Sequence, residues 1–108
     1  MKKIITLIIF LLSFNTFAYY DDGNDRRIIV NNLSSYTIVA IKASNVGRQY
    51  YGRDRLGRDV LYPGESEFLD LDDNSGYCRF DFEINTTAGT IHKFGVNVCE
   101  IVEYDIYD

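Results

Sequence analysis

Residues 77–85 constrain this chain more than any other segment. Cys78, Phe80, Phe82 and Ile84 alternate with Arg79, Asp81, Glu83 and Asn85. A period of two puts the first set on one face of a β-strand and the second in water. No helical period follows residue 18, so the surface that covers the apolar face has to come from other strands. The remaining runs supply them. Ile28-Ile29-Val30 marks a short strand over residues 27–31, and residues 36–44, apolar on both faces, read as a central strand. Residues 66–71 form a third, and residues 90–98 return beside 77–85 with His92, Phe94, Val96 and Val98 on one face. Residues 100–108 make a last edge strand with Val102, Tyr104 and Ile106 inward. Pro63-Gly64 supplies the dihedrals of a type II turn, and the polar clusters 72–76 and 86–89 turn the chain again. The expected fold is all-β: a small antiparallel β-sandwich of six to seven strands, Ig-like or C2-like, with a small barrel as the alternative.

The first residues read as an address. Lys2 and Lys3 precede an apolar run from Ile4 to Leu12, and Thr16-Phe17-Ala18 ends in a small residue. This is the layout of a signal peptide cut between Ala18 and Tyr19. The run is shorter than the roughly 20 residues that span a bilayer, and no Cys follows Ala18 to take a lipid. The expected layout is a leader over 1–18, a flexible mature N-terminus over 19–26 and a β domain over 27–108. The product is exported, to the periplasm or beyond, with no membrane span after cleavage. An oxidising compartment pairs thiols, so Cys78 and Cys99 are expected to form a disulfide. Cys99 lies one step out of phase with Val96 and Val98, which predicts a bulge near Gly95.

Of 11 basic residues, loss of Lys2 and Lys3 leaves 9 against 16 acidic ones, a formal charge of −7. An acidic chain is a poor neutraliser of phosphate backbones, so nucleic acid is not the expected partner. With one His, His92, and both Cys paired, neither a zinc site nor a nucleophile–base pair assembles, and no enzyme or cofactor is expected. Asp70, Asp72, Asp73 and Asn74 are the only plausible calcium ligands. Asp70, Asp72 and Asn74 fit positions 1, 3 and 5 of a calcium loop, but Ser75 stands where that loop needs Gly and the flanks read as strands. Asp, Asn, Ser and Gly also simply make turns.

The loop over 44–61 carries the one basic patch. Arg48, Arg53, Arg55 and Arg58 lie beside Tyr50, Tyr51 and Tyr62, the residue types of binding hot spots. The expected partner is a protein or a cell-envelope component. The plainer alternative has Leu56 and Leu61 in the core while Arg53 and Arg58 pair with Asp54 and Asp59. Asn85 also fits an acidic-extended glycosylation sequon, and Asn32 its short form.

Read in order, Val30-Asn31-Asn32, Tyr36-Thr37-Ile38, the stretch from Leu56 to Ser66 with its Leu-Gly-x-Asp-x-Leu-x-Pro-Gly pattern, Cys78-Arg79-Phe80-Asp81 and Gly95-Val96-Asn97-Val98-Cys99 resemble a group of small exported bacterial β-domain proteins. The resemblance implies a compact β domain in the periplasm or outside the cell. No functional residue comes with it.

Overall fold

The structure, a computed structural model, describes residues 22–108. The expected leader and its expected cut between Ala18 and Tyr19 lie outside the described residues. Six strands follow in order: β1 (Arg27–Asn32), β2 (Ile38–Asn45), β3 (Ser66–Asp70), β4 (Arg79–Thr86), β5 (Gly89–Asn97) and β6 (Glu103–Ile106). They form two three-stranded sheets, ordered β3-β1-β6 and β2-β4-β5. Among the described residues no helix is long and apolar enough to cross a membrane.

Alternation builds the core as the sequence predicts in β4, where Phe80, Phe82 and Ile84 are fully buried. Ile28, Val30, Leu69 and Ile106 of the first sheet join them in one cluster with Ile38, Ile41 and Ala43 of the second. The sheets touch directly, since the Tyr104 ring of β6 lies 5.4 Å from that of Phe82. Cys78 and Cys99 are disulfide-bonded, with their Cα atoms 5.3 Å apart. Closing that 21-residue separation stabilises a chain of this size by about 3 kcal/mol.

Three features depart from the expectation of a regular antiparallel sandwich. First, the strand set is not wholly antiparallel, because β1 pairs antiparallel with β3 but parallel with β6. The chain changes sheets between β5 and β6, so the direction of β6 is set by the crossing and not by a hairpin. Second, the register of β2 against β4 shifts between Ile38 and Ala40. The shift puts Ile38, Ile41 and Ala43 on the core side and leaves Val39 and Tyr36 exposed. Third, Phe82 faces Lys93 while Phe80 faces Val96, so two residues of β5, Phe94 and Gly95, oppose Asp81 alone. This is the bulge expected near Gly95. Gly95 takes a positive φ of 65°, which costs a glycine nothing, and its amide donates to Asp81 Oδ1 at 2.8 Å. The bulge divides the face expected of β5: Val98 is buried, Val96 packs against the core, and His92 and Phe94 turn to solvent.

The loop after β2 closes the free edge of that strand. Ile38 and Leu61 exchange amide hydrogen bonds of 2.9 and 2.8 Å, and the Arg55 amide donates to the Ile41 carbonyl at 2.6 Å. Leu56 and Leu61 are buried. Fully buried Asn32 fastens the far end of the loop. Its Nδ2 donates to the carbonyls of Tyr36 and Leu61, and its Oδ1 accepts from the amide and hydroxyl of Ser34. Its backbone bonds Gly64 and Glu65 across the turn.

Candidate binding surface on the arginine loop

Asp54 shapes the loop. Its Oδ1 accepts from the amides of Ile41 at 2.9 Å and Leu56 at 3.0 Å, pinning the first copy of a tandem Gly-Arg-Asp repeat, Gly52-Arg53-Asp54 followed by Gly57-Arg58-Asp59, to the edge of β2. That settles half of the plainer alternative: the two leucines are core, but Asp54 is engaged by backbone amides. Among the described residues Arg48, Arg53 and Arg58 make no ion pair. The cations elsewhere differ. Arg26 grips Asp22 at 2.7 Å, Arg27 holds Asp25 at 2.8 Å and Lys42 reaches Glu83 at 3.5 Å. Arg79 donates to the Gly95 carbonyl. Among the described residues only Lys93 shares the condition of the loop arginines.

Arg55 is half-buried. Its Nη2 donates to the Ala43 carbonyl at 3.1 Å, while its Nε is buried with no hydrogen-bond partner, alone in this among the described side chains. Burial pulls its pKa below the usual arginine value, and repulsion from Arg53 and Arg48 adds to that, against attraction from Asp73 and Asp70.

Tyr51 carries the loop across the outer face of the second sheet. Its hydroxyl lies 3.3 Å from His92 Nδ1, and the His92 ring stacks parallel to Phe94 with centroids 6.0 Å apart. Burial raises the Tyr51 pKa, as do the nearby carboxylates of Asp81 and Glu83. Tyr50 is 69% and Phe94 71% exposed. His92 and Phe94 are therefore surface residues, where simple alternation places them on the face of Val96 and Val98. Gly95 is the signal that could have found them, because a bulge inverts the phase of everything before it.

Two of the seven loop residues singled out from sequence, Arg58 and Tyr62, line an open groove of about 560 Å³ with Glu65, Ser66 and Glu67. The acidic segment is organised differently again. Asp70, Asp72 and Asp73 each accept from the amide two residues on, those of Asp72, Asn74 and Ser75, and Asn74 takes a φ of 63°. Asp73 also accepts from Asn45 Nδ2 at 2.9 Å. Among the described residues no three His, Cys, Asp or Glu side chains gather as metal ligands. Burial works to raise the Asp73 pKa, yet the hydrogen bonds from Ser75 and Asn45 bring it below the usual carboxylate value.

Neither sequon is presented as an acceptor. Asn32 is fully buried, and Asn85 sits within the central strand β4, paired on both sides. Compared with family models, with curated proteins and with solved structures, the chain matches none.

Proposed function

We propose that the protein is an exported, non-enzymatic binding module. It engages a protein or another component of the cell envelope through Arg48, Tyr50, Tyr51, Arg53 and Arg58, with His92 and Phe94 extending the surface. Export follows from the leader-like first residues and accords with the disulfide, and an Ig-like or C2-like sandwich is the scaffold of this reading. One observation carries it: in a chain where acids outnumber bases, Arg48, Arg53 and Arg58 have no ion pair among the described residues. Unpaired guanidinium groups beside exposed tyrosines are the chemistry of contact residues.

The mature chain used as bait in envelope extract tests this. Replacing Arg48, Arg53 and Arg58 together by Ala should abolish specific capture while the melting temperature stays where it was. Capture that survives the triple replacement would discard the surface.

A further inference from the structure

We propose that the free edge of β5 is a docking site for an extended segment of a partner protein. The segment adds to the second sheet as an antiparallel strand, with an acidic residue opposite Lys93 and an apolar one opposite Ile91. The proposal goes beyond the arginine-loop reading and stands on different observations. It begins with an asymmetry. The second sheet runs β2-β4-β5, and the chain covers one of its edges, since Leu61 and Arg55 bond the outer side of β2. Among the described residues no strand lies beyond β5. That strand is nine residues long, against five for β3 and four for β6 at the edges of the other sheet. The pairing of β4 fixes which backbone groups it offers. The Val46 amide bonds the Arg79 carbonyl, and the Val98 amide bonds the Cys78 carbonyl, so odd-numbered residues of β4 bond β2 and even-numbered ones bond β5. In the register of the hairpin, Gly89, Ile91 and Lys93 therefore bond β4, and the amides and carbonyls of Thr90 and His92 point away from the sheet. Such a row is a template for strand addition.

The side chains specify what the added strand carries. Ile91 is in register with Ile84 and Lys93 with Phe82, both fully buried, so Ile91 and Lys93 belong to the core face of β5. Ile91 is half-buried and packs against the core. Beside it opens a largely apolar pocket of about 220 Å³, lined by Thr90 and Ile91 together with Tyr36 and Tyr107. The pocket takes the apolar side chain of the residue opposite Ile91. Lys93 is exposed and makes no ion pair among the described residues, so a carboxylate two residues before that apolar one meets it. A second copy of this strand does not fit. β5 contains no carboxylate, and two copies paired edge to edge leave both lysines unmatched. The bulge at Phe94 and Gly95 ends the straight run, which confines docking to the stretch from Gly89 to Lys93.

NMR titration of the isotope-labelled mature chain with the peptide acetyl-Thr-Thr-Glu-Thr-Leu-Thr-Thr-amide, whose Glu and Leu have the required spacing, tests the edge. The expected result is a saturable shift of the β5 amides below about 1 mM peptide, with hydrogen exchange slowed at Thr90 and His92. Pro in place of the Thr between Glu and Leu removes the amide that donates to the His92 carbonyl, and binding should be lost. Lys93→Glu should weaken binding of the Glu peptide about fivefold, and a peptide with Lys in place of its Glu should recover the loss. The peptide variants leave the protein itself untouched. No saturation, equal binding of the Pro peptide, or a loss in Lys93→Glu that the Lys peptide does not recover would overturn the proposal. So would sedimentation showing a dimer whose Thr90 and His92 amides are already protected, which assigns the edge to a second copy. Peptide binding with no envelope capture would keep the edge and remove the arginine-loop reading; capture without peptide binding would do the reverse.

Discussion

The arginine loop and the acidic turn before β4 are both dense in charge, and they meet. Asn45, at the end of β2, donates to Asp73 of the turn, and the Tyr77 hydroxyl lies against Gly47 of the loop, where a Cβ would come within 2.6 Å of it. Their side chains are used in opposite ways. The turn directs Asp70, Asp72 and Asp73 at its own amides. Beside it, Arg26 donates from Nε to the Tyr77 carbonyl at 2.6 Å and from both Nη atoms to Asp22. The loop has one internal carboxylate at work, Asp54, and leaves its guanidinium groups unmatched. Charge density therefore does not locate a binding surface. What separates the regions is whether the charges are already satisfied.

Cutting the covalent anchor of the turn should have the largest effect. Cys78→Ser is expected to cost about 3 kcal/mol, read as a fall of many degrees in melting temperature; a shift of a degree or two would show that hydrogen bonds hold this end by themselves. Asp54→Ala removes the acceptor of two loop amides and should cost about 2 kcal/mol in urea denaturation. It should also free the amide of Leu56 to hydrogen exchange. A smaller loss, about 1 kcal/mol, is expected for Asp73→Ala, which gives up the bonds to Ser75 and Asn45. Arg48, Arg53 and Arg58 replaced together by Ala should leave stability within about 0.5 kcal/mol of the parent. A larger loss would mean that the loop side chains hold the fold together much as those of the turn do.

Acid tests the turn directly. The folded pKa of Asp73 lies below its ordinary value of 3.8, so its contribution is fully present above that value and is lost as pH falls through the depressed one. Protection of the Ser75 amide, taken against its intrinsic exchange rate at each pH, should therefore fall on acidification below about pH 4.

How much of this is legible in sequence depends on the range of the interaction. The core face of β4 comes straight from alternation, and the turn at Pro63-Gly64 from the dihedrals of its two residues; the Glu65 amide duly bonds the Tyr62 carbonyl at 3.0 Å, with Gly64 at a φ of 88°. The bulge near Gly95 is readable too, because Cys99 falls out of phase, whereas the outward turn it imposes on His92 and Phe94 requires knowing which residues β4 places opposite. The role of Asn32 is not readable, since its partner Leu61 stands 29 residues further along the chain. Nor does the loop show which of its two aspartates caps backbone amides, although Asp54 and Asp59 stand at equivalent places in the repeat.

Side-chain period and residue type were enough to settle the strand class, the apolar face of β4 and the two residues that close the disulfide. The parallel pairing of β1 with β6, the exposure of Phe94 and the isolation of the loop arginines came only with the assembled fold. Those outcomes depend on which distant backbone groups accept a hydrogen bond, and such competition is settled only when the sheets have come together.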